Sequence, residues 1–582
     1  MQGVRRIFLR YIDPESDQLL IYLGPDDGVL RCIVNDPSHT ATLSSDWARI
    51  KSGIVNDMDV SPADSWVVYA SISRTAVVDG YPVSVHDGIY RTTVGGYATE
   101  SDWTLLTNGL PAAAGLQVHH TLDIYPGRPD VVYTAVNSPE HGVSLALYKT
   151  TDGGDTWSLA KTIFEPNPDG GIADLYNPYV RVMPNNENIV YVSGVSLYRL
   201  NLATHQTVQI TGVHADQKTL EFVPDEPTRY YALNDGGVWR GTVNGSPPID
   251  LVEPRNVDLR TIQFYDVDCS AGNSNVMVGG TQDNGTLAYT GSPVWREILG
   301  GDGAFTIMSR QNDSRIYAQH QYLTDTRRTD KGVNATYFGG QYDWTPCATG
   351  LIESVDWYVK TAFITLDPSD DTHVLAQGPE VYETRNSGAS WSPTGPKGAN
   401  VKGGMTRIQF RPGAGSMVWV VGTSMGQVWL RNAGGSYDFI DEHPQNAAVK
   451  SLTFAPADPS VLYVLYGGGA AYMRLWRYEE TSPGQWTASN ITDTLPQNVD
   501  ALVVCGDPFD RDVAYLGTTR GVYKGDGHTG WWTWTDYNEG LPLVEVKDLL
   551  VDPTSGQLRA GTFGRGAWAV IPGSIEVPPD IE

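Results

Sequence analysis

One pattern recurs twelve times along this 582-residue chain: an apolar run, a tight turn, and a second apolar run rich in valine and tyrosine. Proline centres the turn at Pro14, Pro62, Pro126, Pro184, Pro224, Pro368, Pro412, Pro456, Pro508 and Pro553. Around Ser270 and Ser309 the pattern returns without it. The spacing averages about 49 residues, enough for four short strands. A four-stranded sheet cannot bury both of its faces alone. Stacking such sheets radially lets each cover its neighbours. The expected fold is therefore all-β, a β-propeller of about twelve four-stranded units.

Twelve units exceed the four to eight blades usual for one ring. Dividing the repeat evenly near Gly300 gives two tandem propellers, residues 1–299 and 300–572, with a tail at 573–582. One large ring is the alternative. The final unit reads as short of its fourth strand, because Pro572 and Pro578-Pro579 follow its third. Residues 4–12 could supply the missing one. Within the units, Tyr69, Tyr133, Tyr191, Tyr231 and Tyr463 occupy equivalent places in the second strand and are expected in the core.

Composition agrees with short aromatic strands joined by tight turns: 18% of residues are charged, with 62 glycines, 31 tyrosines and 17 tryptophans. A formal charge of −27 argues against nucleic acid or an anionic membrane as partner and suits a neutral or cationic ligand. No run is long enough to insert in a membrane. Cys32, Cys269, Cys347 and Cys505 are far apart and form no CxxC. They are expected to be mostly buried, inert thiols, with one or two long-range disulfides left open. Residues 1–11 show no signal-peptide h-region or cleavage site, which leaves a removed signal or a cytoplasmic protein. No cofactor is implied, and a structural cation such as calcium stays open.

A second signature lies between third and fourth strands. Thr150-Thr151-Asp152-Gly153-Gly154-Asp155-Thr156-Trp157 has the form S/T-x-D-x-G-x-T-W, with looser copies at residues 384–391 and 432–437. This resembles the Asp-box (BNR) repeat of sialidase-like propellers. The Asp or Asn side chain closes a tight turn while the Trp packs between sheets, on the face opposite the usual active site of such propellers. The order of His214-Ala215-Asp216-Gln217, Asn234-Asp235-Gly236-Gly237, Gly279-Gly280-Thr281-Gln282-Asp283-Asn284-Gly285, Gly300-Gly301-Asp302-Gly303 and Gly561-Thr562-Phe563-Gly564-Arg565-Gly566 is similar to that of sortilin propellers and tandem-propeller xyloglucanases. The likeness implies an extracellular or cell-surface protein. It also makes the one-ring alternative a sortilin-like ring. Two departures limit it. Arg5-Arg6-Ile7 is followed by Phe8 where sialidases carry Arg-Ile-Pro, and the glycine-rich N-terminal stretches of the xyloglucanases are missing. Their catalytic residues are not transferred.

Propeller topology sends the second-to-third-strand turns and the sheet-to-sheet connections to one face. His214, Asp216, Asp235, Asp283 and Asp302 all fall in such segments and are expected to gather on one face across adjacent units. Clustered carboxylates push each other's pKa values apart, as acid/base work requires. Asp302 as acid and Asp283 as base or nucleophile, cleaving a glycosidic bond, is the sharp expectation. Against it, Asp-Gly and Gly-Asp-Gly are what tight turns need anyway. Trp344, Trp357 and Trp532 stand in dense aromatic clusters and are candidates to stack on sugar rings, although such rings also fill cores. Two functions follow. One is a glycan-engaging propeller, a glycoside hydrolase if the acids act. The other is a non-catalytic, protein-binding scaffold of sortilin-like type.

Overall fold

A computed structural model describes residues 4–13, 18–34, 47–78, 81–111, 120–138, 143–164, 178–245, 248–337, 342–352, 363–414, 417–467, 473–552 and 555–571. Among them are eleven four-stranded antiparallel sheets and one of three strands, each formed by consecutive strands. This is the expected repeat, a tandem pair of β-propellers. Where a second strand is covered on both faces by the adjacent sheets, its sequence is apolar throughout rather than alternating. Val461, Leu462, Tyr463, Val464 and Leu465 are all fully buried. The outermost strands, such as Gln206–Ile210 and Ile249–Pro254, are mostly exposed.

The chain divides into two compact units, Met1–Asn256 and Val257–Glu582, of five and seven sheets. The break falls one sheet earlier than Gly300. The sheet that begins with Phe264–Cys269 belongs to the second unit, where its inner strand packs on Thr306–Met308 on one side and on Val546–Val551 on the other. That second contact joins the last sheet to the first and closes a ring of seven. The Asp548 carboxylate accepts the Val267 amide at 3.1 Å across it, and the Gly564 amide donates to the Ile262 carbonyl. An even split overlooks this, because a repeat period carries no record of which sheet closes on which.

In the five-sheet unit the inner strands are Val4–Asp13, Ile54–Val60, His120–Ile124, Val180–Met183 and Gln217–Val223, each packed on the next. Val4–Asp13 pairs with Gln18–Pro25 in its own sheet, Leu9 opposite Ile21, so it does not complete the last one. The twelfth sheet has three strands among the described residues, and residues 572–582 lie outside them.

Neighbouring sheets are pinned at three radii. Nearest the axis, side chains on one inner strand accept amides of the next: Asp57 from Leu122, Asp59 from Ile124, Asp123 from Val182, Asp266 from Thr306, Asp268 from Met308 and Gln409 from Phe454. Further out, second-strand tyrosines donate to carbonyls of the following sheet, Tyr69 to Gly153 and Tyr317 to Asp371, both at 2.8 Å. Outermost, indoles donate back to the preceding sheet: Trp103 to Ile50, Trp391 to Cys347 and Trp534 to Ile491. A ring buried mid-strand can reach its partner only if its hydroxyl is satisfied there, which explains the recurrence of tyrosine over phenylalanine.

The turn at 150–157 forms as its residues suggest. Asp152 Oδ1 accepts the Thr156 amide at 2.9 Å and Oδ2 the Thr156 hydroxyl, while Trp157 is buried. These bonds hold the Asp152 carboxyl down at about 2. Asn386 and Asn432 accept the amides of Ser390 and Ser436 in the same way.

Tyr69, Tyr133, Tyr191 and Tyr463 are core residues, but Tyr231 is 37% exposed and Tyr230 takes the buried place. The alternation of Glu226–Asn234 faces Tyr230 inward, and neighbouring residues on a strand point to opposite faces. Tyr317→Phe, which strands the Asp371 carbonyl, should cost roughly 0.5–1.5 kcal/mol in denaturant unfolding. Tyr231→Phe should stay within about 0.5 kcal/mol. Equal effects would contradict this register.

Candidate functional site

On the seven-sheet unit, three segments meet at one end of adjacent sheets. The turn at 281–285 carries Asp283 at φ 62°, and the Thr281 hydroxyl donates to the Gly285 carbonyl at 2.8 Å. The connection at 300–305 lies directly on that turn. A Cβ on Gly303 would come within 2.6 Å of the Thr281 nitrogen, and one on Gly280 would run into the Ala304 carbonyl. Glycine at both positions is what allows the approach, so the Gly-Gly-Thr and Gly-Asp-Gly-Ala motifs are two sides of one contact. The third segment is 320–325, where the His320 carbonyl accepts the Gly303 amide at 3.0 Å and Gln321 Nε2 donates to Asp302 Oδ2 at 3.0 Å.

An aromatic edge continues from there. The His320 ring lies 5.8 Å from Tyr337, which meets Tyr342 edge-on at 5.4 Å and carries the Arg327 guanidinium over its face. Tyr342 is 67% exposed. Burial and the Arg327 charge lower the His320 pKa, against a smaller opposite pull from Asp325 and Asp302, so the imidazole is neutral at pH 7. Carboxylates, a carboxamide, a neutral imidazole and an exposed ring together suit a neutral, polar ligand with a flat face. His320, Gln321 and Tyr337 were not anticipated from sequence. The only sequence signal for His320 and Gln321 is position in a second-to-third-strand connection of the kind that carries Asp283, and Tyr337 lies in the third-to-fourth-strand connection of the same sheet.

The other predicted residues fall elsewhere. His214, Asp216 and Asp235 belong to the five-sheet unit, on its last sheet, so the five residues expected on one face divide between two units. The His214 ring lies over Gly236, where a Cβ would meet it, which brings 214–217 against 234–237. Asp235 pairs with Lys218 Nζ at 2.8 Å, and Asp216 sits in the left-handed region at φ 59° with its amide on the Val195 carbonyl. These are turn-building roles.

Trp344 and Trp532 are core, not groove. Trp344 is 4% exposed with its indole donating to the Ile298 carbonyl at 2.6 Å, and Trp532 stacks on Trp534 at 5.8 Å inside the core between two sheets. Their clusters are dense because one ring of each fills the gap between sheets. Trp357 lies outside the described residues. Cys32, Cys269 and Cys347 are buried and Cys505 is half-buried, all as free thiols. Burial pushes Cys269, Cys347 and Cys505 up to about 12. Among the described residues no group of three His, Cys, Asp or Glu is arranged to hold a metal ion.

Acids do collect near the axes, but different ones. In the five-sheet unit Asp57, Asp59 and Asp123 stand with Arg181, whose guanidinium bonds Glu221 at 2.9 Å. In the seven-sheet unit Asp266, Asp268 and Asp548 stand with Arg407, which burial lowers to about 10. Their signal is polar residues at alternate positions of an apolar strand, Asp57-Met58-Asp59 and Asp266-Val267-Asp268. Burial raises Asp59 and Asp548 to about 6, where a free aspartate titrates near 4.

Because the folded protein holds these protons more tightly than the unfolded chain does, the two acids favour folding below about pH 4. That contribution is lost as pH rises through 6. Asp152 and Glu383, both held near 2, titrate below this window. The melting temperature should therefore be higher at pH 5 than at pH 7.5, and Asp59→Asn with Asp548→Asn should flatten the difference. Trp344→Ala and Trp532→Ala should each cost about 3–5 kcal/mol in denaturant unfolding, as core truncations do.

No protein-family model matches this chain, and no curated protein sequence does. Among solved structures, it is similar to the GH74 xyloglucanase from Xanthomonas campestris at 15% identity, over 90% of this chain and 74% of that one, with a TM-score of 0.34. A GH74 enzyme from Niastella koreensis matches at 14% identity over 90% and 74%, TM-score 0.34. PorZ, a surface component of the type-IX secretion system of Porphyromonas gingivalis, matches at 10% identity over 99% and 69%, TM-score 0.39. At these values no site residue or activity is carried across.

Proposed function

We propose that this is an extracellular or cell-surface Asp-box propeller protein that engages glycans at the loop end of its seven-sheet unit. Asp302, Asp283, Gln321 and His320 supply the hydrogen bonds and Tyr342 the stacking surface. The observation that carries this reading is the contact of 300–305 on 281–285, which sets the Asp302 segment against the Asp283 turn and beside the Tyr337–Tyr342 edge. Sugars present hydroxyls and a CH face to such an array, and a neutral ligand meets no penalty from the chain's −27 charge. The three box-like turns support the Asp-box part of the proposal.

Within this reading Asp302 and Asp283 are the acid pair of a glycoside hydrolase. The bond from Gln321 to Asp302 favours a second form, in which the carboxylate is a fixed acceptor and the propeller only binds. A polysaccharide panel separates them when scored for both retention and new reducing ends. Hydrolysis should fall about a hundredfold or more in Asp302→Asn if Asp302 is the proton donor. Retention without reducing ends, weakened by Tyr342→Ala, identifies the binding form. Neither retention nor cleavage on any glycan, with capture of a protein ligand instead, overturns the proposal in favour of a scaffold.

A further inference from the structure

The fifth sheet of the five-sheet unit, residues 217–254, is covered on one face. Phe222, Tyr230 and Val252 pack toward the fourth sheet, so Glu221, Tyr231 and Leu251 point the other way. Among the described residues no sheet of the unit packs on that side, and Tyr231, Leu251 and Ile249 are 37%, 57% and 61% exposed.

This face repeats a row of side chains used in the three sheets before it. A charged residue on the inner strand, a tyrosine on the second and a basic residue on the third stand opposite one another: Asp59, Tyr69 and Arg91, then Asp123, Tyr133 and Lys149, then Arg181, Tyr191 and Arg199. Each time the tyrosine and the basic residue reach the following sheet. Tyr69 donates to the Gly153 carbonyl and Arg91 to Asp155 at 3.0 Å. Tyr133 donates to the Glu187 carbonyl, and Lys149 Nζ lies 3.7 Å from the Glu187 carboxylate. Tyr191 donates to Asp250 at 2.7 Å, and Arg199 pairs with the same carboxylate at 2.7 Å. Glu221, Tyr231 and Arg240 form a fourth row in the same register. Here the Tyr231 hydroxyl meets no acceptor among the described residues, and Arg240 turns back to Glu253 of its own sheet. Arg229 and Arg255 pair with Glu226 and Glu253, so the patch lacks the excess negative charge of the whole chain.

The first sheet, residues 4–51, shows the converse. Phe8 packs on the core shared with the second sheet, so Ile7 points away from it, opposite Leu23, which stands opposite Leu30. Ile7 is 62% exposed, and Leu23 and Leu30 are half-buried. Trp47 opens the fourth strand, the place from which Trp103, Trp391 and Trp534 donate back to the sheet before theirs. The fifth sheet thus presents what reaches a following sheet, and the first presents what packs on a preceding one.

We propose that these two faces are one interface: two copies of this chain associate, each laying the Tyr231 face of its fifth sheet on the Ile7 face of the other's first sheet. The contact continues the sheet-to-sheet packing within the unit, with Tyr231 and Arg240 reaching forward and Trp47 reaching back. Since each copy gives one face and receives the other, a two-fold axis closes the pair. The inference is independent of the glycan reading.

The test is sedimentation equilibrium of the whole chain, which should show a concentration-dependent dimer. Leu251→Asp and Ile7→Asp should each weaken it at least about tenfold, because each sets an unpaired charge into both contacts. An equal mixture of the two variants should associate more tightly than either alone, since one of the two contacts in a mixed pair is unaltered on both sides. Circular dichroism and melting identify a variant that fails to fold, and Tyr231→Ala or Trp47→Ala then takes its place. A chain that stays monomeric at every concentration overturns the proposal. So does a dimer that either folded variant leaves intact, or one that mixing does not restore. A monomer that both variants destabilise closes its fifth sheet on its own first sheet, which also overturns it.

Discussion

The whole structure depends on one constraint: a propeller sheet has two apolar faces and no way to cover them itself. Burying those faces against neighbours brings inner-strand backbones together, and amides there would lose water without gaining a partner. An unsatisfied buried amide costs roughly 1–3 kcal/mol. The chain answers with side chains that reach across the gap. Asp57, Asp59, Asp123, Asp266, Asp268 and Asp548 each accept an amide from the next strand. Burial makes four of them, Asp59, Asp123, Asp266 and Asp548, resist ionisation, so the placement that joins the sheets also tunes these four toward neutrality. Stability and unusual acidity have one origin here.

The pins at larger radius extend the same logic. A tyrosine ring fills the space between sheets, and its hydroxyl finds a carbonyl on the far side, as Tyr317 does with Asp371. An indole does so from the outer turn, as Trp391 does with Cys347. Since the aromatic residues are consumed by this role, a dense aromatic cluster in such a chain is weak evidence for a ligand groove. Trp344 and Trp532 show it, and the exposed ring beside the loop-end acids is a tyrosine, Tyr342.

Much of the loop end was legible in the residues themselves. Asp283 and Asp302 fall in segments that topology must send to the same end, and the structure puts their segments in contact through Gly280 and Gly303. His320 and Gln321 were not legible, since nothing in a His-Gln pair distinguishes it until its carbonyl and amide are seen on Gly303 and Asp302. Nor was the separation of His214, Asp216 and Asp235 from the other two, because it follows from the ring closing at Val267 and Asp548.

From its residues alone this chain determines the kind of unit it builds and how many: proline and glycine punctuation, doubly apolar second strands and recurring tyrosine are local properties, and local sterics decide them. Which unit closes on which, and hence five sheets and seven rather than six and six, was decided only by tertiary contact between strands 281 residues apart at Val267 and Asp548. The same holds for which acids meet at an axis and which of two adjacent tyrosines, Tyr230 or Tyr231, faces inward. Those choices depend on a partner surface that exists only once the sheets have come together.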